Sequence, residues 1–535
     1  MDGIMNGFYT WQMRTIDLLD NGLARHPERL CVLDATPYGL SDPVKSFTHE
    51  EVRQLSHRIA NGLHHSGLRR GSRVAIYSTN CALALVCMVG LLRAGAVWLP
   101  VNTRNPLNEN LQFFKENDCE FVFCHADLLD DLTAIRTAVP TIKDAILVGP
   151  DRVAFGSPSL LDWVKDFSSA FPDDEHGPDD LAWIKGTGGT TGRSKSVMIC
   201  HRNVEALFAT VQICFPNLEP LVNLVAAPIT HGAGNHALSL MSMGGTNVVI
   251  ARPDPSAVLD AIEVHRVSTL LLPPTIIYNI LATPGVRDRD YSSLRYFLVG
   301  AAPISPDRLA EAIDVFGPVM AQVWGQTEAP MICSYMHPAD YSLASNSATL
   351  KSCGRPSPLT RIEVMDDAGN LLPSNAVGEL VIRSNLVMRG YLNLPDETAA
   401  VSRFGWHHTG DVGYRDDAGY FYIIDRKKDM IISGGFNIYP SEIEQVLWKH
   451  ASVLDCAVIG VPDPKWGESV KAVVELKQGS SATEEDLRDY CRSQLGGVKT
   501  PKSVEIWDAL PRSAVGKVLK REIRERFWSG QERRV

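Results

Sequence analysis

The chain has 535 residues, 45% hydrophobic and 21% charged, with a formal net charge of −10. One hydrophobic core stops growing at roughly 250–300 residues, so this length calls for several units. The composition excludes a disordered or fibrous chain, and the negative balance argues against nucleic acid as the main partner.

The N-terminal MDGIMNGFYTWQ has an acid where a secretory leader needs a basic segment, and no apolar run follows it. The most apolar stretch, Ala82 to Leu92, is eleven residues, too short to span a bilayer, and reads as a buried helix ended by Arg93 and Gly95. Eleven cysteines are scattered without a CxxC pair. An odd number argues against a purely disulfide framework and for a reducing cytoplasm.

Short β-branched runs alternate with helical segments over the first four hundred residues. Strands are predicted at Ser72 to Ser78, Ala96 to Val101, Glu120 to Cys124, Ala145 to Val148, Leu224 to Ala227, Asn247 to Ile250 and Thr269 to Leu272. This pattern predicts α/β layers with largely parallel sheets. After about residue 350, stretches such as RIEVMDDAGN and GELVIRS predict a small β-rich subdomain. The charge run in IIDRKKDMI, in isolation an exposed turn, precedes a fresh α/β alternation of about one hundred residues, a small C-terminal α+β domain. There, helices are predicted at Ser441 to Trp448, with Ser441 and Glu444 in capping-box spacing, and at Glu484 to Leu495. Strands are predicted at Ala457 to Val461 and Lys471 to Leu476. The basic tail holding Lys517, Lys520, Arg521, Arg524 and Arg526 is interleaved with Glu522 and Glu525, which reads as a solvated helix face.

Chemistry concentrates first in GTGGTTGRSKSV, Gly186 to Val197. Four glycines within seven residues disfavour helix and strand, and a loop of this kind turns successive N–H groups to one point, with hydroxyls and cations as further donors. The expected guest is phosphate. Arg193 after Gly192 excludes a Walker loop, and Thr191 stands where a dinucleotide fingerprint needs its third Gly.

Four further stretches follow: PITHGAG (Pro228 to Gly234), VGAAP with VWGQTEAP (Val299 to Pro303, Val323 to Pro330), HHTGD (His407 to Asp411) and LPRSAVGK (Leu510 to Lys517). In this order and spacing the five resemble the adenylate-forming superfamily of acyl-CoA synthetases, luciferases and carrier-protein adenylation domains, over nearly the whole chain. The departures are Gly188, Ser194 and Ser196 where the family has Ser, Pro and Gly in SGTTGxPKG, and Trp324 where it more often has Tyr. Loss of the proline is expected to loosen the loop, and the indole to serve as the aromatic wall.

The resemblance implies an ATP- and acyl-binding domain over 1–425 and a mobile catalytic-lysine domain over 426–535, hinged near Lys428. It implies that Thr187, Gly188, Gly189, Thr190, Thr191, Gly192 and Lys195 cradle the β- and γ-phosphates of ATP, that Thr327 meets the α-phosphate, and that Glu328 holds Mg²⁺ as a hard oxygen ligand. Asp411 and Arg426 would take the ribose. Gly300, Ala301, Ala302 and Pro303, with Gln322, Trp324 and Gly325, would bound the nucleotide and acyl group. His231 would stand beside the carboxylate, with Gly232, Ala233 and Gly234 lining the acyl pocket. Lys517 would bridge carboxylate and α-phosphate, and Gly434 and Gly435 would admit the pantetheine arm of CoA.

The expected reaction activates a small-molecule carboxylic acid, fatty or aromatic, to an acyl-adenylate and transfers it to CoA. Transfer to a carrier protein, or a nucleotide-binding regulator with damaged chemistry, are the alternatives. No membrane span is expected, and a homodimer is left open.

Overall fold

The computed structural model describes residues 13–35, 45–149, 156–170, 177–187, 194–216, 219–342, 349–512 and 518–528. The N-terminal dodecapeptide lies outside them. The alternation read from the sequence closes into two large sheets. The first has nine strands among the described residues. Its centre is a parallel run of Met320–Gln326, Tyr296–Val299, Thr269–Leu272, Val222–Val225, Thr246–Val249 and Leu30–Asp34. The second has seven strands, parallel through Leu181–Gly186, Val97–Pro100, Arg73–Tyr77, Phe121–His125 and Asp144–Val148. Strands such as Phe121–His125 are buried at every position because helices or the other sheet cover both faces, which is why they read as unbroken apolar runs.

The helix Ala82–Arg93 is the wedge between the sheets. It packs against Leu30–Asp34 of the first and against Arg73–Tyr77 and Val97–Pro100 of the second, and all of its residues are buried. Its first N–H is held by the Asp34 carboxylate at 2.8 Å. No described helix is long and apolar enough to cross a membrane.

A four-stranded antiparallel sheet follows, made of Thr360–Met365, Gly378–Ser384, His407–Arg415 and Phe421–Arg426. Sheet membership changes after Arg426. One short 3₁₀ turn, Lys427–Asp429, leads to a five-stranded sheet built on the long hairpin Val453–Asp463 and Gly467–Leu476. The helices Pro440–Leu447 and Glu484–Lys499 bury Ile443, Leu447, Leu487 and Cys491 on one face of that sheet, while Ile523 of the helix Lys520–Glu525 packs on the other.

Three local expectations are corrected. Ser441 is not a helix cap: the helix begins at Pro440 after Tyr439. Instead the Ser441 N–H donates to Asp425 at 2.8 Å and its hydroxyl donates to the Ile424 carbonyl, while Glu444 is buried against Lys520 at 2.8 Å. The basic tail is not a solvated face, since Lys520 and Arg524 turn inward, Arg524 pairing with Asp429 at 2.8 Å. Nor is DRKKD a plain exposed turn. Arg426 pairs with Asp411, Lys427 with Asp367 and Glu379, and Asp429 with Arg524. Local charge spacing was misread in each case because the partners are distant in sequence.

Candidate active site

The glycine-rich loop is the connection of an antiparallel hairpin. Leu181–Gly186 pairs with Ser196–Cys200, with Gly186 opposite Ser196. Gly188, Gly189, Thr190, Thr191 and Gly192 lie outside the described residues, but the neck of the loop is on view. Thr187 N–H donates to the Lys195 carbonyl at 2.9 Å, and Lys195 N–H to the Thr187 hydroxyl at 3.1 Å. The Ser194 hydroxyl donates to the Thr187 carbonyl at 2.6 Å. At the neck, serine supplies a bond to the Thr187 carbonyl that proline lacks.

Thr327 and Glu328 are the two-residue turn between Met320–Gln326 and Ala329–Met336. A tight turn holds both side chains at one tip. Met388 N–H clamps the Glu328 carbonyl at 2.7 Å, and the Tyr391 hydroxyl donates to Glu328 Oε1 at 2.7 Å. Tyr391 also lies against Lys195 at the neck of the glycine-rich loop: Lys195 Nζ sits 4.8 Å from its ring centroid and pairs with Glu397 at 2.5 Å. Burial and the Glu328 charge push the Tyr391 phenol up, so it stays a donor. Thus one aromatic ring joins the predicted phosphate cation to the predicted metal carboxylate.

Asp411 and Arg426 face each other on neighbouring strands. Arg426 Nε lies 2.5 Å from Asp411 Oδ1, and the Trp324 indole N–H donates to Asp411 Oδ2 at 3.0 Å. Trp324 is more than a wall, since its N–H orients the carboxylate. Nearby, Gln322 Oε1 is buried with no hydrogen-bond partner among the described residues. An adenine amino group could satisfy that acceptor. Ala301 is left-handed at φ +69°, a strain that positions of this kind hold only when the surroundings enforce it. Gly300 sits where a Cβ would come within 3.0 Å of Val323, and at Gly325 one would meet the Met331 backbone at 2.8 Å. Ala302 and Pro303 complete the small-residue turn before the helix Pro306–Phe316.

His231 caps the helix Gly232–Met241. Its ring is open to solvent yet walled by protein, and burial, then the Lys185 and Arg104 charges, push its pKa down to about 4. With no anion beside it the ring is neutral at neutral pH. Its Nδ1 is 2.9 Å from the Thr230 hydroxyl. Of the three small residues after it, Gly232 faces Leu271, where a Cβ would come within 3.0 Å. Gly234 is corrected from pocket lining to packing: a Cβ there would lie 1.9 Å from the Ile229 carbonyl oxygen.

On the C-terminal domain, Gly434 and Gly435 form the turn of the hairpin Ile431–Ser433 and Phe436–Ile438, with φ of +58° and +83°. The Trp466 ring covers Gly434, where a Cβ would lie 2.5 Å away, whereas nothing lies within 4 Å of a Cβ at Gly435. Lys428 lies in the 3₁₀ turn between the sheets, and Lys517 falls outside the described residues.

Sequence reasoning missed Tyr391 and Glu397, and it quoted His407 in HHTGD without giving it a role. His407 is buried, is held near a pKa of about 4 by burial, and contacts Gln326 Nε2 at 3.1 Å. The available signal was MRGYLNLPDET, a turn-rich segment with one aromatic and no periodicity.

Comparison with known proteins agrees with this geometry. The family described as AMP-binding enzyme matches residues 19–392, and the AMP-binding enzyme C-terminal domain matches 442–517. The chain belongs to the AMP-binding enzyme family, the adenylate-forming acyl-CoA ligases. It is 36% identical to a feruloyl-CoA synthase of an Amycolatopsis species over 95% of this chain and 99% of that one. It is 38% identical to the medium/long-chain-fatty-acid–CoA ligase FadD8 of Mycobacterium tuberculosis over 67% of this chain, a match that spans 63% of that ligase. The ATP-bound structure of MatB from Rhodopseudomonas palustris superposes with a TM-score of 0.85 at 30% identity, covering 97% of this chain and all of that one (100%).

Proposed function

We propose that the chain activates a fatty or aromatic carboxylic acid with ATP and passes the acyl group to CoA, releasing AMP and pyrophosphate. The observation that carries this reading is the linkage through Tyr391 of Lys195 on the phosphate loop to Glu328 on the hairpin turn.

The chemistry asks for that arrangement. A carboxylate oxygen must attack the α-phosphorus while the bond to the β-phosphate oxygen breaks, and both partners are anions. Catalysis then consists of positioning and of placing positive charge where negative charge gathers. Lys195 and the loop N–H groups serve the β- and γ-phosphates, Thr327 the α-phosphate, and Asp411 the ribose hydroxyls. Glu328 suits Mg²⁺, because Tyr391 occupies only Oε1 and Oε2 has no protein partner among the described residues; the ion would neutralise phosphate charge as pyrophosphate leaves. Lys517, on the segment after Arg512, would meet the carboxylate and α-phosphate. In the second step the CoA sulfur attacks the acyl carbon and AMP departs, with the Gly434–Gly435 turn flanking the pantetheine arm. Domain limits at 425 and 426, a pivot at Lys428 and a cytoplasmic location belong to the same proposal.

The test is acid-dependent exchange of labelled pyrophosphate into ATP, followed by CoA-dependent thioester formation. Lys517→Ala is expected to slow the exchange about 10²- to 10³-fold and to spare thioester formation from supplied acyl-adenylate. Exchange without any acid, or equal loss of both half-reactions, would overturn the reading. Transfer to a carrier protein with none to CoA would replace the acceptor.

A further inference from the structure

The antiparallel ladder between Gly378–Ser384 and His407–Arg415 is interrupted at one place. Glu379 stands opposite Val412 and Val381 opposite His408, so Thr409, Gly410 and Asp411 face Leu380 alone. A bulge of this kind takes backbone groups out of the ladder and re-aims the side chains it carries. This one carries Asp411, the carboxylate that meets Arg426 and Trp324. Gly410 permits the excursion with a φ of +72°.

Buried backbone groups removed from a ladder need other partners, and side chains supply them here. The Thr409 hydroxyl donates to the Leu380 carbonyl at 2.6 Å and accepts from the Asp411 N–H at 3.1 Å. The Gly410 N–H donates to Glu379 Oε1 at 3.1 Å. The other oxygen, Glu379 Oε2, lies 3.1 Å from His408 Nδ1 and 3.2 Å from Lys427 Nζ. One buried carboxylate therefore holds both the residue just before Asp411 and the residue just after Arg426. Asp411 and Arg426 stand opposite each other in the next ladder, so the brace fastens the two strands on which the pair is mounted. Burial alone would raise the Glu379 carboxyl, but the His408, Lys427 and Gly410 donors outweigh it and hold it below the ordinary carboxylate value. The brace is thus charged at neutral pH.

We propose that Glu379 is a positioning residue for the ribose site: by holding Gly410 and Lys427 it fixes how Asp411 and Arg426 are presented, and so sets how strictly the site demands ribose hydroxyls. Its action runs through the backbone on either side of the pair. The inference rests on the reading of Asp411 and Arg426 as the residues that take the ribose.

The experiment measures, by titration calorimetry, binding of AMP, 2′-deoxy-AMP and 3′-deoxy-AMP to wild type, Glu379→Gln, Glu379→Ala and Lys427→Met. A site built to hydrogen-bond a hydroxyl rejects the analogue that lacks it, so wild type is expected to bind AMP at least about tenfold more tightly than a deoxy analogue. Glu379→Gln keeps an acceptor for Gly410 and loses the charge that holds Lys427, so this ratio should fall about threefold, and in Glu379→Ala, which removes both bonds, about tenfold. Lys427→Met should match the Gln variant. A residue that merely stabilises the sheet would weaken all three nucleotides alike, so an unchanged ratio in the Glu379 variants would overturn the inference and leave the ribose reading standing. Should Glu379→Ala fail to fold, Glu379→Gln and Lys427→Met decide it in the same way. Equal binding of the three nucleotides by wild type would strike the ribose reading of Asp411 and Arg426, and the inference with it.

Discussion

The hydroxyl of Tyr391 donates to Glu328 at 2.7 Å while its ring carries the Lys195 ammonium 4.8 Å from the centroid. Charge on the loop and charge on the turn are therefore held by one rigid side chain. Tyr391 reaches this place because Gly390–Tyr391 pairs with Val197 and Met198, directly after the loop.

Tyr391→Phe keeps the ring and removes the donor. A hydrogen bond to a charged acceptor contributes about 1.5–3 kcal/mol, and part of that orients Glu328. The expected outcome is adenylation slowed roughly tenfold and a higher Mg²⁺ concentration for half-maximal rate, with the CoA step on supplied adenylate unaltered. A Mg²⁺ titration of pyrophosphate exchange reads this directly; an unchanged titration would separate Tyr391 from metal binding.

At the loop neck, Ser194→Pro exchanges two small terms. Proline restricts the unfolded chain, worth about 0.4–1 kcal/mol, and the bond to the Thr187 carbonyl is lost at about 0.5–1.5 kcal/mol. Thermal unfolding should move by no more than about 1 kcal/mol equivalent. Lys195→Ala differs in kind: it should raise the ATP KM and slow adenylation without touching thioester formation from supplied adenylate. Damage confined to the thioester step would refute the phosphate cradle.

Gly435 tests the pantetheine path. Its φ of +83° makes any L side chain strained, but no atom lies within 4 Å of a Cβ there. Gly435→Leu should therefore leave pyrophosphate exchange intact and block thioester synthesis, whereas Gly435→Asn, which tolerates left-handed angles, should retain part of it. Normal thioester rates in the leucine variant would place the path elsewhere.

Stability should fall on the acid side of neutrality. Burial holds His49, His236 and His407 at about 4, below the ordinary 6.5. A base with a depressed folded-state pKa takes up its proton first in the unfolded chain. Its contribution is complete above pH 6.5 and is lost as the pH drops towards 4, at up to about 1.4 kcal/mol per pH unit for each group. His49 is remote from the site, and its side chain is buried. His49→Leu should flatten the fall in melting temperature between pH 6.5 and 4.5. An identical slope in the variant would show that His49 is not a contributor.

Strands and helices were legible where burial is two-sided or strictly periodic. Thr269–Leu272 falls where expected, and Ala82–Arg93 begins at Ala82. The motif residues Asp411, Arg426 and Trp324 do meet. What stayed hidden depends on pairing across long sequence separation. Ser441 and Glu444 have the spacing of a cap, yet their partners are Asp425 and Lys520. Tyr391 has no local signature because its role comes from a two-residue bridge to a strand almost two hundred residues earlier. Lys185 was given no reading from the sequence, and its burial comes from distant chain, with Asn235 accepting from it at 2.9 Å.

The helix Ala82–Arg93 has no solvent-facing side, and it touches both large sheets at once. Fully burying one large aliphatic side chain is worth roughly 1.5–3 kcal/mol, so sliding one sheet past the other would uncover several such groups together. Mechanically, the two sheets are a single anvil. If the proposed two-step reaction calls for a large displacement, it falls to the chain beyond Arg426, which follows one short turn and builds a sheet of its own.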